Sequence, residues 1–352
     1  MGRGKKKAAQ ERPRLSQTIK EVAEAANVSV ATVSRTLQMP QVVAESTRRR
    51  VHDAISRLGY TPNAQARTLR TARTRLVIAL VPDITNPFFS EVIRGMEQVA
   101  HENGYSVLLG DTQNSLAREQ AYADMVPARQ ADGLITLLPH IPRLPTQWRS
   151  QLVNACEYVT DKHVTSVYVD NVKAAYTAVE HLITLGHREI AFISGPNSRR
   201  ICADRERGYE QALREANLRV NPSLVVNGDF SFEAGARGVE ALFASKQKFT
   251  ALFCANDEMA IAALVTLKMR GLRVPEDVSV VGFDDIRFAR YCDPPLTTIA
   301  QPKKQLGGEA MTLLIEILSG IDTPPRKRVL PTELIIRNST AAISRSGRGS
   351  GH

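Results

Sequence analysis

Residues 18–37 read TIKEVAEAANVSVATVSRTL, and residues 43–58 read VAESTRRRVHDAISRL. Thr18-Ile19-Lys20-Glu21 has the form of a capping box, a hydroxyl at the N-cap and a carboxylate three residues on, so a helix begins there. Ile19, Val22, Ala23 and Ala26 follow at helical spacing. Asn27 tolerates the left-handed conformation and stops the run. Ser29 caps a second helix, Val30 to Leu37, and a third runs from about Ala44 to Leu58 until Gly59 ends it. Two short helices with a tight turn, closed by a third, make a helix-turn-helix pattern. An ordinary three-helix unit has the same outline, and the surface of the second helix is what separates the two. Val33 and Leu37 anchor it inward, while Val30, Ala31, Ser34 and Arg35 point outward. An Arg can bridge guanine O6 and N7, and small apolar groups can touch the thymine methyl. Ser29, Thr32, Thr47 and Arg48 stand where hydroxyls and cations hold phosphates. Thr18, at the head of the first helix, joins them as a DNA-facing residue.

Outward from this module the chain changes character twice. Residues 1–16 lack periodicity and read as a flexible basic arm, and 17–61 form the headpiece. Asn63 to Arg70 is a short Ala- and Arg-rich segment entered through Pro62, too short to be a stable helix alone, so 62–75 reads as a short helix and linker. From Leu76 short Val/Ile/Leu strands alternate with amphipathic helices. The strand candidates are Leu76–Val81, Ser106–Gly110, Gly133–Leu138, Ser166–Val169, Ile190–Ser194, Leu224–Val226, Ala251–Cys254 and Ser279–Phe283. Continuous apolar strands between helices imply α/β architecture with doubly wound parallel sheets. The length of 76–340 asks for two lobes with a cleft between them, the chain crossing near 170 and 300. Residues 341–352 read as a flexible tail.

Charge divides along the same line. Residues 1–75 hold 16 Lys+Arg and 5 Asp+Glu, a net of +11, although the whole chain of 352 residues carries only +10. A small basic module on a neutral body suggests a polyanion reader with a separate business end. Apolar residues make up 43% and mean hydropathy is −0.20, so the bulk can bury a core. No apolar run approaches the ~20 residues that a bilayer span needs. The N-terminal MGRGKKKAAQERPR is followed by no apolar stretch, so it reads as no secretory signal, and a cytoplasmic location is expected. Cys156, Cys202, Cys254 and Cys292 lie far apart, and the histidines are scattered. No metal or catalytic constellation is expected, and no cofactor.

In doubly wound sheets ligands sit beyond the carboxyl ends of the strands. The residues there are Asp83 to Phe89, Asp170-Asn171, Phe230, Asn256-Asp257 and Asp284-Asp285, with Arg205 on the helix after Ile190–Ser194. A carboxylate can accept hydrogen bonds from adjacent ribose hydroxyls, Arg can donate to ring or sugar oxygens, and aromatic rings can sandwich a base. That chemistry suits a nucleoside, although a pentose fits as well. Asp257 and Asp285 have an equally good reading as helix caps, and Phe88 as plain core.

The stretches IKEVAEAANVSVATVSRTL, VAESTRRRVHDAISRLGYTPNAQARTL, PDITNPFFSEVIRGME and VVGFDDIRFARYCDPPLTTIAQP together resemble the LacI/GalR family of bacterial transcriptional repressors. The resemblance covers about residues 17–340. It implies a homodimer whose subunits have a helix-turn-helix headpiece, a hinge helix and a two-lobed core like the periplasmic sugar-binding proteins. Leu69 matches a hinge Leu that wedges between base pairs in the minor groove, and Asn63 and Arg67 belong to the same segment. The effector contacts that the family implies fall on Phe88, Phe89, Arg205, Phe230, Asn256 and Asp284, and Asp170 joins them as an effector-binding candidate from its place beyond a strand end. The implied partners are a double-stranded operator, a small-molecule effector and a second copy of the chain. The effector expected is a nucleoside such as cytidine, with a sugar or purine as the alternative. The cyclic-AMP receptor protein, beside which one kind of member acts, is a further expected partner with no surface assigned. Two rival classes are a solute-binding protein without a DNA role and a nucleoside hydrolase or sugar kinase using Asp257, Asp284 and Asp285. The basic headpiece argues against the first. The lack of G-x-x-x-x-G-K-S/T, G-x-S-x-G and metal spacing argues against the second.

Overall fold

A computed structural model describes residues 17–61, 73–321 and 325–343. The expected arm, the segment with Asn63, Arg67 and Leu69, and residues 344–352 lie outside the described residues. The chain divides into two compact units, Met1–Thr74 and Arg75–His352.

In the first unit, helices α1 (Ile19–Ala25), α2 (Val30–Gln38) and α3 (Glu45–Leu58) enclose a small core of Val22, Ala23, Ala26, Val33, Val51 and Ala54. The caps are those the sequence asks for. The Thr18 hydroxyl accepts from Glu21 N at 3.4 Å while the Glu21 carboxylate takes the Thr18 N–H. The Ser29 hydroxyl accepts from Thr32 N at 3.1 Å, and Asn27 and Gly59 both take positive φ. The inward face of α2 holds Val33 and Leu37, the latter packed against the core, and adds Thr36. Thr36 is buried and Leu37 only half-buried. Thr36 tolerates burial because its hydroxyl donates to the Thr32 carbonyl at 2.9 Å, so no polar group is left unpaired.

The second unit holds two six-stranded sheets. The first contains β1 (Leu76–Val81), β2 (Ser106–Asp111), β3 (Gly133–Thr136), β4 (Leu152–Ala155), β5 (Thr165–Val169) and β11 (Lys327–Leu330), in the order β11-β5-β4-β3-β1-β2. The second contains β6 (Ile190–Ser194), β7 (Val225–Asn227), β8 (Ala251–Cys254), β9 (Ser279–Asp284), β10 (Thr297–Ala300) and β12 (Glu333–Ile335), in the order β12-β10-β9-β8-β6-β7. Every pairing is parallel except β10 with β12. The helices are α4 (Pro87–Glu102), α5 (Leu116–Ala123), α6 (Asn171–Thr184), α7 (Arg200–Glu215), α8 (Phe232–Ala244), α9 (Asp257–Met269) and α10 (Lys303–Leu318). No helix among the described residues is long and apolar enough to cross a membrane.

The chain passes between the sheets three times, after β5, after β10 and between β11 and β12. The third passage and the strands β4, β10, β11 and β12 are absent from the sequence reading. Their residues explain why. Asn154, Thr297 and Thr298 are polar yet fully buried, and β11 begins with two exposed cations. None of these segments has the apolar run that marks a strand buried on both faces.

Helix α10 returns to the first sheet and packs directly on α4. The helices touch through glycines: a Cβ on Gly95 would strike the Lys304 carbonyl, and one on Gly307 would strike the Val92 carbonyl. Because backbone rather than a flexible side chain stands in the way, the helices must part to admit a methyl group. Gly307→Ala should therefore lower the stability of the core by ~1–3 kcal/mol, read as a lower urea midpoint with an unchanged slope.

Candidate functional site

Two surfaces carry the sequence-predicted residues, and each belongs to a separate unit. On the headpiece, Ser29, Val30, Ala31 and Arg35 are exposed, and Thr32 and Ser34 are half-buried beside them. Val30 is 40% exposed and presents an apolar side chain on the same helix as Arg35. Arg35 is held loosely, with Nε donating to the Ala31 carbonyl at 3.4 Å. Arg48 is more committed: it pairs with Glu45 and donates to the Pro40 carbonyl at 3.4 Å. Thr18 and Ser29 are exposed but work as caps, and Thr47 is half-buried.

In the second unit a cleft of about 480 Å³ opens at the carboxyl ends of the strands of both sheets. Phe88, Phe89, Arg205, Phe230, Asn256 and Asp284 all line it. Asp170 does not. It is exposed and caps α6, accepting from Lys173 N at 3.0 Å. Its neighbour Asn171 turns inward instead, and its Oδ1 accepts from Arg205 Nε at 2.9 Å. Asp257 and Asp285 are also absent from the lining. Asp257 is wholly buried, accepting from Ile286 N at 2.8 Å and from the Thr298 hydroxyl, and Asp285 accepts from Arg337 at 2.6 Å.

Arg205 is fixed by surrounding structure rather than by a carboxylate. Besides Asn171 it donates through Nη1 to the Ala255 carbonyl, and its guanidinium lies 3.7 Å from the centre of the Phe283 ring. Asp284 Oδ1 accepts from Gln301 Nε2 at 2.7 Å, and Lys303 Nζ donates to the carbonyls of Asp284 and Asp285 at 2.6 and 2.7 Å. Those bonds hold a strained turn, with φ +119° at Asp284 and +50° at Asp285. Cys156 and Phe230, also on the cleft wall, have φ +71° and +73°. Non-glycine residues in such conformations cost ~1–3 kcal/mol each and persist only where surrounding structure over-determines them. Asn256 supplies one such constraint, because its amide donates to the Phe230 carbonyl at 2.8 Å while its Oδ1 caps α9. Its side chain shapes the wall and keeps a second amide N–H at the cleft. Phe88 stands edge-on to Phe89, with ring centroids 5.2 Å apart, and belongs to both core and cleft.

Several lining residues escape the sequence reading: Glu157, Glu258, Gln301, Arg199 and Asn114. Glu157 and Gln301 follow β4 and β10, the two interior strands hidden by their polar composition. A site rule that looks just past strand ends cannot find them once those strands are missed. Burial pushes the Asp284 carboxyl up to about 6 against the pull of Arg205, Gln301 and Lys303. It takes Glu157 up to about 7 against Arg199 and Arg205, and Glu258 up to about 7 with help from the Asp284 charge.

Comparison with known proteins places this geometry. The description "Bacterial regulatory proteins, lacI family" fits residues 18–63, and "Periplasmic binding protein-like domain" fits residues 179–340. The HTH-type transcriptional repressor CytR of Escherichia coli strain K12 is 42% identical over 330 residues, 93% of this chain and 97% of that protein. The HTH-type transcriptional repressor PurR of Aliivibrio fischeri strain ES114 is 37% identical over 338 residues, 92% of this chain and 98% of that protein. A lac repressor dimer bound to operator and the anti-inducer ONPF is similar in structure. Its TM-score is 0.82 at 27% identity, covering 93% of this chain and all of that one.

The raised carboxyls fix a pH dependence. An acid whose folded value exceeds its unfolded one holds a proton that the unfolded chain releases. For Glu157 that window runs from 4.5 to about 7, and stability is lost as pH rises through it. Urea unfolding of Glu157→Gln should therefore show a smaller decline than wild type across this window. The difference in slope should be at most ~1.4 kcal/mol per pH unit.

Proposed function

The chain belongs to the lacI family of bacterial regulatory proteins and is a transcriptional repressor, and from that premise we propose that a nucleoside such as cytidine in the core cleft controls its grip on an operator. The observation that carries the proposal is the cleft itself. A carboxylate (Asp284), a fixed guanidinium (Arg205) and five phenylalanines, Phe88, Phe89 and Phe230 among them, line one cavity, the complement that a sugar joined to a flat base needs. A sugar or a purine is the second reading, favoured by the same carboxylate and by the likeness to PurR. Relatives that are repressors leave the hydrolase and kinase readings without support.

On the headpiece, α2 is the element that reads bases. Arg35 reads guanine, Val30 and Ala31 touch thymine methyl groups, and Ser34 lies beside them. Thr18, Ser29, Thr32, Thr47 and Arg48 hold phosphates. Asn63, Arg67 and Leu69 belong to a hinge that enters the minor groove. The protein works as a homodimer in the cytoplasm. Support for pairing comes from an apolar surface on and near α9, where Val265, Met269 and Tyr291 are 55%, 82% and 76% exposed. A partner activator, the cyclic-AMP receptor protein, is consistent with the likeness to CytR.

Control requires that the nucleoside bind one lobe arrangement better than the other, because equal binding to both shifts nothing. A coupling of ~1–3 kcal/mol lowers operator affinity some 5- to 150-fold. Fluorescence anisotropy with a labelled operator, titrated with nucleosides and then with sugars, tests this. Release by nucleosides is expected, and release by sugars alone would establish the second reading. In the same assay Asp284→Asn should abolish release while the nucleoside-free protein still holds its operator. Arg35→Ala should cost ~1–3 kcal/mol and relax preference at one operator position. Equal weakening on all sequences would make Arg35 a phosphate contact.

A further inference from the structure

Among the described residues that line the cleft, Glu157 carries a buried carboxyl oxygen without a hydrogen-bond partner. Its Oε1 lies 3.6 Å from Arg199 Nη1, beyond a normal hydrogen bond, and its Oε2 meets nothing. The residue is 2% exposed. An unpaired polar atom so deeply buried costs ~1–3 kcal/mol, and here it stands in the wall of a cavity, where a ligand can supply the missing partner. The Arg199 guanidinium that faces Glu157 also sits 5.9 Å from the centre of the Phe230 ring and donates to Asn114 at 3.1 Å. Phe230 and the Arg199–Glu157 pair therefore stand on one part of the cavity wall, within reach of a single flat base.

The charge around the cleft narrows what that edge can be. Six carboxyl groups line it, from Asp83, Glu157, Asp229, Glu233, Glu258 and Asp284, against two cations. Both cations are engaged, Arg199 with Glu157 and Asn114, and Arg205 with Asn171 and the Ala255 carbonyl. The charged and titratable groups acting on Glu157 are Arg199, Arg205 and Asp204, with the thiols of Cys156 and Cys202 beside it. Such a lining disfavours a base that sheds a proton and favours one that accepts a proton.

We propose, building on the nucleoside reading above, that Glu157 is the residue that reads the base. One carboxyl oxygen pairs with a ring nitrogen and the other with the adjacent exocyclic amino group, so the cleft prefers aminonucleosides to their keto counterparts. In this pair a single proton lies between a carboxyl oxygen and the ring nitrogen, and the amino group donates to the second oxygen. If the proton moves to the ring, the base becomes a cation among carboxylates, which the lining stabilises. A keto base offers a ring N–H and a carbonyl at that edge, and a neutral carboxyl can still pair with them, but the carbonyl is too weak a base to take the proton, so no cation forms and the surrounding carboxylates add nothing to the pair. Burial keeps Glu157 ready to hold the proton, with its carboxyl raised to about 7.

Isothermal calorimetry on the full-length protein tests this with cytidine, uridine, adenosine and inosine at pH 7.5, in two buffers of different ionisation heat. Wild type should bind cytidine and adenosine at least about tenfold more tightly than uridine and inosine, and take up about one proton with them. Glu157→Gln presents an amide that suits either edge, so the preference should fall below about threefold and the proton uptake should vanish. Wild-type binding of all four nucleosides within about threefold would overturn the assignment without any variant, and leave the nucleoside reading standing. Preference and uptake that persist in Glu157→Gln would also overturn it. Binding of ribose but of no nucleoside would remove both the assignment and the reading beneath it.

Discussion

Arg205 spends its hydrogen bonds on the protein, and the shape of the cleft follows from that. Its guanidinium ties the start of α6 through Asn171, the end of β8 through Ala255, and the end of β9 through the face of Phe283. A buried cation is costly unless its donors are met, so these partners must converge for the fold to form. Their convergence brings the carboxyl ends of the second sheet's strands to one point and sets Asp284 across from the aromatic residues of the first. The same cation draws charge toward itself, yet burial still leaves Asp284 and Glu157 above their usual range.

Around that fixed point the cleft wall is built from backbone that other parts of a protein avoid. Cys156, Phe230, Asp284 and Asp285 all hold positive φ. Each is pinned by a neighbour or a strand end: Asn256 on the Phe230 carbonyl, and Lys303 on the carbonyls of Asp284 and Asp285. Lys303 and Gln301 lie where the chain leaves β10 for α10, so the second passage between the sheets doubles as the brace of the site. Gly95 and Gly307 then let α10 lie close on α4, which carries the Phe88–Phe89 pair at its start. Lys303 thus ties the strained turn at the end of β9 to the helix that packs on the first sheet.

Much of this was written plainly in the chain. Caps at Thr18 and Ser29, the stops at Asn27 and Gly59, and the inward Val33 are local signals, and each acts through bonds that span four residues or fewer. The apolar runs of β1, β6, β8 and β9 mark strands covered on both faces, and the residues beyond their ends gave Asp284, Asn256 and Phe88 as lining residues. Thr36 joins Val33 on the inward face because its hydroxyl bonds back to the Thr32 carbonyl. Asp170 caps a helix at the surface while its neighbour Asn171 turns inward to Arg205, since a strand end does not say which of two successive side chains is buried.

The sequence by itself determined the helix-turn-helix, the alternation of strand and helix, and the concentration of positive charge in the first 75 residues, because these rest on local bonding, periodicity and count. Only the tertiary structure decided that Asn154, Thr297 and Thr298 are strand interior, that Asn256 braces the Phe230 carbonyl, and that Glu157 and Gln301 reach the cleft. The reason is the same in each case. Whether a polar side chain is buried, and what faces it there, depends on residues distant in the chain, and their arrangement is a property of the folded protein.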